Sequence, residues 1–335
     1  MGPHSALGRC YLTEQKSLFP YEVSRGRNGI NLSVELGKIK LENPVIACSG
    51  TFGCGVEYNQ FYNTAMLGAV TTKSYSLLPM EGNPPPRTCE TASGVLNSIG
   101  LQNDGIDAFI KKHLPQAGKL GIKIILSIFG QDREEFNKVA SRILDTTDIK
   151  ERIIAVELNL SCPNIKKGGM AFSAVPDEVK KIVSSVARIL KIPVIAKLSP
   201  NQDNLIEAAM AAKEGGAEAV SVINTVVGMA VDIETFRPRL GNILGGLSGP
   251  AVKPIALAKV YCLAREKILP VIGMGGIFSW EDALEFLAVG ASAVGIGTAN
   301  FVQYDVGKRI IEGLRNYLES RKIYDINEVI GRLRT

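Results

Sequence analysis

Histidine is nearly missing from this sequence: of 335 residues only His4 and His113 are of that type. His4 falls in an apparent tail, and His113, in Lys111-Lys112-His113, reads as a solvated helix end, so catalysis by imidazole has almost no candidates. Cysteine is sparse and scattered, with six at Cys10, Cys48, Cys54, Cys89, Cys162 and Cys262. No C-x-x-C pair or tight cluster occurs, which excludes an iron–sulfur cluster or structural zinc site on this chain and fits a reduced, cytoplasmic setting with no bound metal. No stretch approaches the ~18 apolar residues that span a bilayer, and the first 28 residues contain no apolar core of signal-peptide type. A soluble protein without membrane association is expected. The chain begins Met-Gly, but Ala6 stands where a myristoylation pattern needs Ser or Thr. The net charge of +5 is spread among acidic residues rather than gathered in a stripe with interleaved aromatics, so no nucleic-acid partner is expected.

What the sequence has is apolar residues, 46% of the total, and 34 glycines, the composition of a folded α/β protein with many tight turns. Its length suits either two average domains or one α/β barrel. Short apolar runs at 44–48, 69–72, 123–127, 155–159, 193–197, 219–223, 270–273 and 293–297 read as eight core strands. Segments near 57–66, 106–116, 131–145, 176–190, 202–214, 250–266, 280–289 and 305–320 read as the alternating helices. Eight strands with eight helices predict a (β/α)8 TIM barrel. A hairpin over 30–35 and 38–41 precedes it, and a non-helical insertion over 84–96 is placed to help roof the site. Residues 1–28 are expected to be a poorly ordered extension ahead of a single domain over 29–335.

Active sites of such barrels form at the C-terminal strand ends. There the sequence places Ser49-Gly50, Lys73-Ser74, the segment 159–164, Lys197, Asn224-Thr225, Gly245-Gly246, Gly275-Gly276 and Gly297-Thr298. The last two strands end in Gly273-Met274-Gly275-Gly276 and Gly295-Ile296-Gly297-Thr298, where barrels commonly hold a phosphate. Glycines let backbone N–H groups approach the anion, and Thr298 adds a hydroxyl at a helix start; alternatively, the glycines serve only the turns. Lys197 places an ammonium at the mouth. If the ligand is a flavin, such a cation favours the anionic reduced ring; otherwise it forms a salt bridge at the rim. In Asn159-Leu160-Ser161-Cys162-Pro163-Asn164, a thiol follows strand four between two amide side chains. An isolated thiol is commonly inert packing, but this position points to a base. Pro163 stiffens the loop, and Lys166-Lys167-Gly168-Gly169 offers positive potential and a hinge for a lid.

Six blocks then recur in the order of a known family: Ala47-Cys48-Ser49-Gly50-Thr51-Phe52-Gly53, Thr72-Lys73-Ser74, Asn97-Ser98-Ile99-Gly100-Leu101, the 159–164 segment, Ile223-Asn224-Thr225 and Gly297-Thr298-Ala299-Asn300. From about residue 29 to 335 the chain resembles the dihydroorotate dehydrogenases. Cysteine rather than serine at 162 resembles the soluble class 1, and Gly50 to Gly53, the segment 224–232 and Gly245-Gly246-Leu247-Ser248-Gly249-Pro250 resemble the NAD-linked class 1B catalytic subunit. The resemblance implies oxidation of dihydroorotate to orotate in pyrimidine biosynthesis, with FMN taking a hydride from C6 and Cys162 a proton from C5. It also implies flavin contacts at Ser49, Gly50, Lys73, Ser74, Asn159, Lys197, Ile223, Gly246, Gly275, Gly276, Gly297 and Thr298. Substrate contacts fall at Lys73, Asn97, Ile99, Gly100, Leu101, Asn159, Asn164, Asn224 and Thr225. The implied partner is an electron-transfer subunit carrying FAD and [2Fe–2S], in a heterotetramer of two catalytic and two electron-transfer chains. Cys48 departs from the alanine common in the family. A flavin enzyme acting on uracil or thymine, and a flavin-free phosphate-binding lyase using Lys197, are the alternatives.

Overall fold

A computed structural model describes residues 29–146, 152–161, 163–164 and 170–334. Cys162, the Lys166 to Gly169 segment and residues 1–28 lie outside the described residues.

Eight short apolar runs become the strands of one closed barrel: β1 (Val45–Ala47), β2 (Ala69–Thr71), β3 (Ile124–Ile128), β4 (Ile153–Asn159), β5 (Val194–Lys197), β6 (Ala219–Val222), β7 (Val271–Met274) and β8 (Ala293–Ile296). Each pairs in parallel with its neighbours in chain order, and β8 closes on β1 with Gly295 opposite Ile46. Parallel strands are covered on both faces, which is why they read as continuous apolar runs rather than alternating ones. Residues of β1, β2 and β3 are buried throughout.

Outside, Pro176–Leu190 turns Val179, Ile182, Val183, Val186 and Leu190 inward at helical spacing,. Trp280–Ala288 starts from a capping box in which Ser279 and Asp282 satisfy each other's backbone N–H groups,. The helix expected over 57–66 does not form; that stretch is a run of turns ending in the 3-10 turn Thr64–Met66. Asn59 Oδ1 accepts from the Thr64 N–H (3.2 Å) and Asn63 Oδ1 from the Ala65 N–H (3.1 Å). These side-chain bonds take the donors that a helix would have used. The helix from Ile106 to Lys119 is interrupted by a π-helical turn at Phe109–His113.

The N-terminal hairpin pairs Val34–Leu36 with Ile39–Leu41. Its first strand begins at Val34 rather than at 30, because Asn31 bridges to Asp325 instead. Lys38 Nζ reaches Glu218 Oε1 (2.6 Å), just before β6, so the hairpin lies at the N-terminal end of the barrel. At the opposite end the expected insertion forms a hairpin of Thr88–Thr91 and Gly94–Asn97. Two strands that follow β6, Val226–Gly228 and Gly245–Ser248, complete it as a four-stranded antiparallel roof. One half of this roof is a sequence surprise, since only the 84–96 insertion was expected there. Among the described residues no helix is long and apolar enough to cross a membrane.

Candidate active site beneath the roof

The strand register sets the floor of the site. On neighbouring strands Lys197 stands opposite Asn159 and Ser221, which aligns β4, β5 and β6 at one level. From Ser74, just after β2, a continuous polar chain crosses the mouth. Asn159 Nδ2 donates to Ser74 Oγ (3.1 Å), Ser161 Oγ donates to Asn159 Oδ1 (2.7 Å), and Asn224 Nδ2 donates to Ser161 Oγ. Asn224 Oδ1 also accepts from the Thr225 N–H at 2.8 Å, so both ends of its amide are fixed. Ser161, in the middle of this chain, is the residue that precedes Cys162 in the sequence. Four residues expected at the site, from the ends of three different strands, are thereby held in one arrangement: Ser74, Asn159, Asn224 and Thr225.

The roof contributes a second group. Asn97 lies opposite Gly246 and donates from Nδ2 to its carbonyl (3.2 Å). Gly246 must be glycine, because a Cβ there would collide with the Thr225 side chain. Gly246→Ala is therefore expected to displace Thr225 and weaken substrate saturation several-fold; an unchanged KM in steady-state assays would refute that coupling. Past the roof hairpin, Gly100 (φ 75) and Leu101 (φ 57) are both left-handed, and a Cβ on Gly100 would meet the Asn83 backbone. A left-handed leucine is unusual outside functional loops. Ile99 is tied by its carbonyl to the Asn83 N–H (3.0 Å).

At the ends of β7 and β8 the glycines divide into two kinds. Gly275 (φ 130) and Gly276 (φ 75) are demanded by packing: a Cβ on the first would sit 2.8 Å from Ala256 Cβ, and on the second 2.7 Å from Lys253 Cβ. Gly297 differs, since a Cβ there would meet only Cys48 Cβ, at 4.0 Å, and at Gly50 it would meet nothing within 4 Å. At these two strand ends a group could lie against the backbone without meeting a side chain. Ile223 packs beside Gly275, its N–H on the Met274 carbonyl (3.0 Å). Thr298 leads only a four-residue helix, Ala299–Val302, and its hydroxyl donates to Ser248 Oγ in the roof (2.8 Å). Ser49 and Lys73 are half-buried just after β1 and β2. The Asn164 backbone pairs with Met170 in a small antiparallel ladder; its side chain lies outside what is described. Among the described residues no cluster of His, Cys, Asp and Glu could hold a metal.

Several site residues are absent from the sequence expectation. Ser161, beside Cys162, links Asn159 to Asn224. Beneath them Glu157 is buried, accepting from Ser221 Oγ (2.8 Å) and Ser127 Oγ (3.3 Å). Strand parity was the available signal: Glu157 is two residues before Asn159, on the same side of β4, and a lone carboxylate in an apolar run is costly unless it is used.

Cys48 closes the floor at the end of β1, its thiol 3.8 Å from Met274 Sδ. Burial pushes it from 9.0 up to about 12, partly countered by the Lys197 charge and reinforced by Glu157. Burial likewise raises Cys54 to about 12, with Glu57 adding to the effect. Both thiols are neutral when folded but ionise near pH 9 once unfolded, so their contribution to stability is complete below pH 9 and falls as pH rises toward 12,. In native buffer at pH 8 a thiol reagent is expected to label exposed Cys262 readily and Cys48 and Cys54 on the order of a hundredfold more slowly. Equal labelling rates would contradict their burial.

A closed parallel barrel with fixed amides, a lysine and two open glycine positions beneath a sheet roof defines an α/β-barrel enzyme with a single covered mouth. The chain belongs to the dihydroorotate dehydrogenase family, whose profile, described as "Dihydroorotate dehydrogenase", matches residues 31–318. It is 49% identical over 306 residues to the "Dihydroorotate dehydrogenase B (NAD(+)), catalytic subunit" of Thermoanaerobacter sp. (strain X514), covering 91% of this chain and 99% of that protein. Proteins of the same name from Desulforamulus reducens and Geobacter sulfurreducens are 47% identical over 302 residues and 46% identical over 303 residues. Those matches each cover 90% of this chain and 98% of the relative.

Proposed function

We propose that this chain oxidises dihydroorotate to orotate for pyrimidine biosynthesis, as the catalytic subunit of an NAD-linked enzyme that holds FMN at the barrel mouth. The observation that carries this reading is the fixed chain Ser74–Asn159–Ser161–Asn224, whose Ser161 precedes Cys162 in the sequence. A dihydropyrimidine ring presents alternating amide donors and acceptors, and amide side chains with both ends held are suited to read them. Asn97, Asn159, Asn164 and Asn224 orient the ring. Lys73, with backbone N–H groups near Ile99, Gly100 and Leu101, receives the carboxylate. Cys162, as thiolate, takes the proton from C5. When bound, FMN supplies the acceptor for the hydride leaving C6. Ser49, Gly50, Lys73, Ser74, Asn159, Lys197, Ile223, Gly246, Gly275, Gly276, Gly297 and Thr298 hold it, and the roof excludes water from the reacting face.

The relatives' shared designation as a catalytic subunit supports a second subunit, which in this reading carries FAD and [2Fe–2S] and passes electrons to NAD in a two-plus-two heterotetramer. The family assignment stands against the flavin-free lyase alternative.

The test is a substrate panel on the yellow, FMN-loaded protein. Turnover of dihydroorotate and not of dihydrouracil or dihydrothymine is expected; the reverse selectivity overturns the reading. With a thiol as base, anaerobic flavin reduction should quicken as pH rises toward the ordinary thiol pKa of ~8.5 and then level off. A flat profile from pH ~6 to ~9 would count against a cysteine base.

A further inference from the structure

Glu157 has no role in the reaction as described so far, yet it is the one carboxylate that the described β4 carries into the barrel interior, a place that such folds fill with branched apolar residues,. Its side chain is 2% exposed, and Lys197 Nζ, itself on an 8% exposed side chain, lies 3.6 Å from Oε1. Ser221 and Ser127 hydroxyls hold the two carboxylate oxygens. Ser127 also pairs with Ser74 Oγ at 2.9 Å, and Ser74 begins the chain that crosses the mouth. A buried ion pair is weak support for stability, because a well-packed apolar pair commonly serves as well. Register explains what the pair achieves instead. Glu157 lies opposite Ile195, two residues before Lys197, so the carboxylate is one layer deeper than the ammonium on the mouth side.

We propose that Glu157 is a positioning residue for Lys197: its carboxylate fixes the ammonium at the mouth, partly offsets its charge, and so sets how strongly a bound flavin is drawn to its reduced form. This rests on the FMN reading of the site. Two opposed charges stacked toward the ligand make the sign predictable. Loss of the carboxylate leaves more positive potential at the mouth, and loss of the ammonium leaves more negative potential.

The experiment is anaerobic equilibration of the FMN-loaded protein with a reference dye, alongside FMN content and thermal midpoint. Glu157→Gln is expected to shift the reduced-to-oxidised ratio about tenfold toward reduced, about 30 mV for a two-electron couple. Glu157→Asp keeps the charge and should stay within about threefold of the parent. A Glu157→Gln ratio unchanged or shifted toward oxidised overturns the proposal, as does an Asp variant displaced as far as the Gln variant, since fit and not charge would then be responsible. If Glu157→Gln fails to fold, the neutral pair Glu157→Gln with Lys197→Met takes its place. Lys197→Met alone should move the ratio toward oxidised, and the pair should return it close to the parent; a pair no closer than the single variant overturns the proposal. Parent protein that takes up no FMN would instead refute the functional reading beneath it.

Discussion

Cys162→Ala is expected to retain FMN yet reduce it with dihydroorotate about 10² to 10⁴ times more slowly than the parent, the range for removal of a general base. The sequence puts the thiol immediately after Ser161, whose hydroxyl is fixed between Asn159 and Asn224, so the residue before it is anchored on both sides of the mouth. FMN should stay bound because its proposed contacts lie at the C-terminal ends of β1, β2 and β4 to β8 and at Gly246 in the roof, none of which requires the thiol. Stopped-flow absorbance under anaerobic conditions reads the effect directly. Unchanged reduction would refute the base assignment, and lost FMN would make Cys162 a structural residue.

Gly297→Val should abolish FMN retention while leaving the apoprotein folded. A Cβ at Gly297 meets nothing nearer than Cys48 Cβ at 4.0 Å, so a side chain there starts into open space, and it enters the space proposed for the phosphate. An affinity loss on the order of a hundredfold or more is expected, because the displaced contacts are charge-assisted. Gly275→Val is the contrasting case. With φ 130 and Ala256 Cβ only 2.8 Å from the added atom, it should cost about 1 to 3 kcal/mol of fold stability by overpacking alone. Calorimetry of the apoproteins separates the two; a Gly297→Val protein that keeps FMN would remove the phosphate from the end of β8.

The eight strands were legible to within two residues at each end because parallel barrel strands are apolar on both faces and stand out as mostly apolar runs, as in Val45–Ala47,. The failed helix over 57–66 shows where that legibility ends. Its composition allows a helix, but Asn59 and Asn63 spend their side chains on the backbone, a competition that periodicity does not display. The site was legible where polar residues end strands, as at Asn159 and Lys197. It was less so where they sit inside one, as at Glu157, Ser127 and Ser221, since their purpose depends on which strands become neighbours. The roof strand Gly245–Ser248 was hidden for a similar reason: its partner Gly94–Asn97 lies about 150 residues earlier, and long-range antiparallel pairing leaves little local trace. Gly275 and Gly297 looked alike in sequence, and only their surroundings separate a packing glycine from one facing open space.

The most direct measurement is an anaerobic titration of the FMN-loaded protein with dihydroorotate, following flavin absorbance and orotate together. One equivalent of dihydroorotate should bleach one FMN and yield one orotate. Flavin that stays oxidised under excess dihydroorotate, or that bleaches without orotate appearing, would contradict the proposed activity.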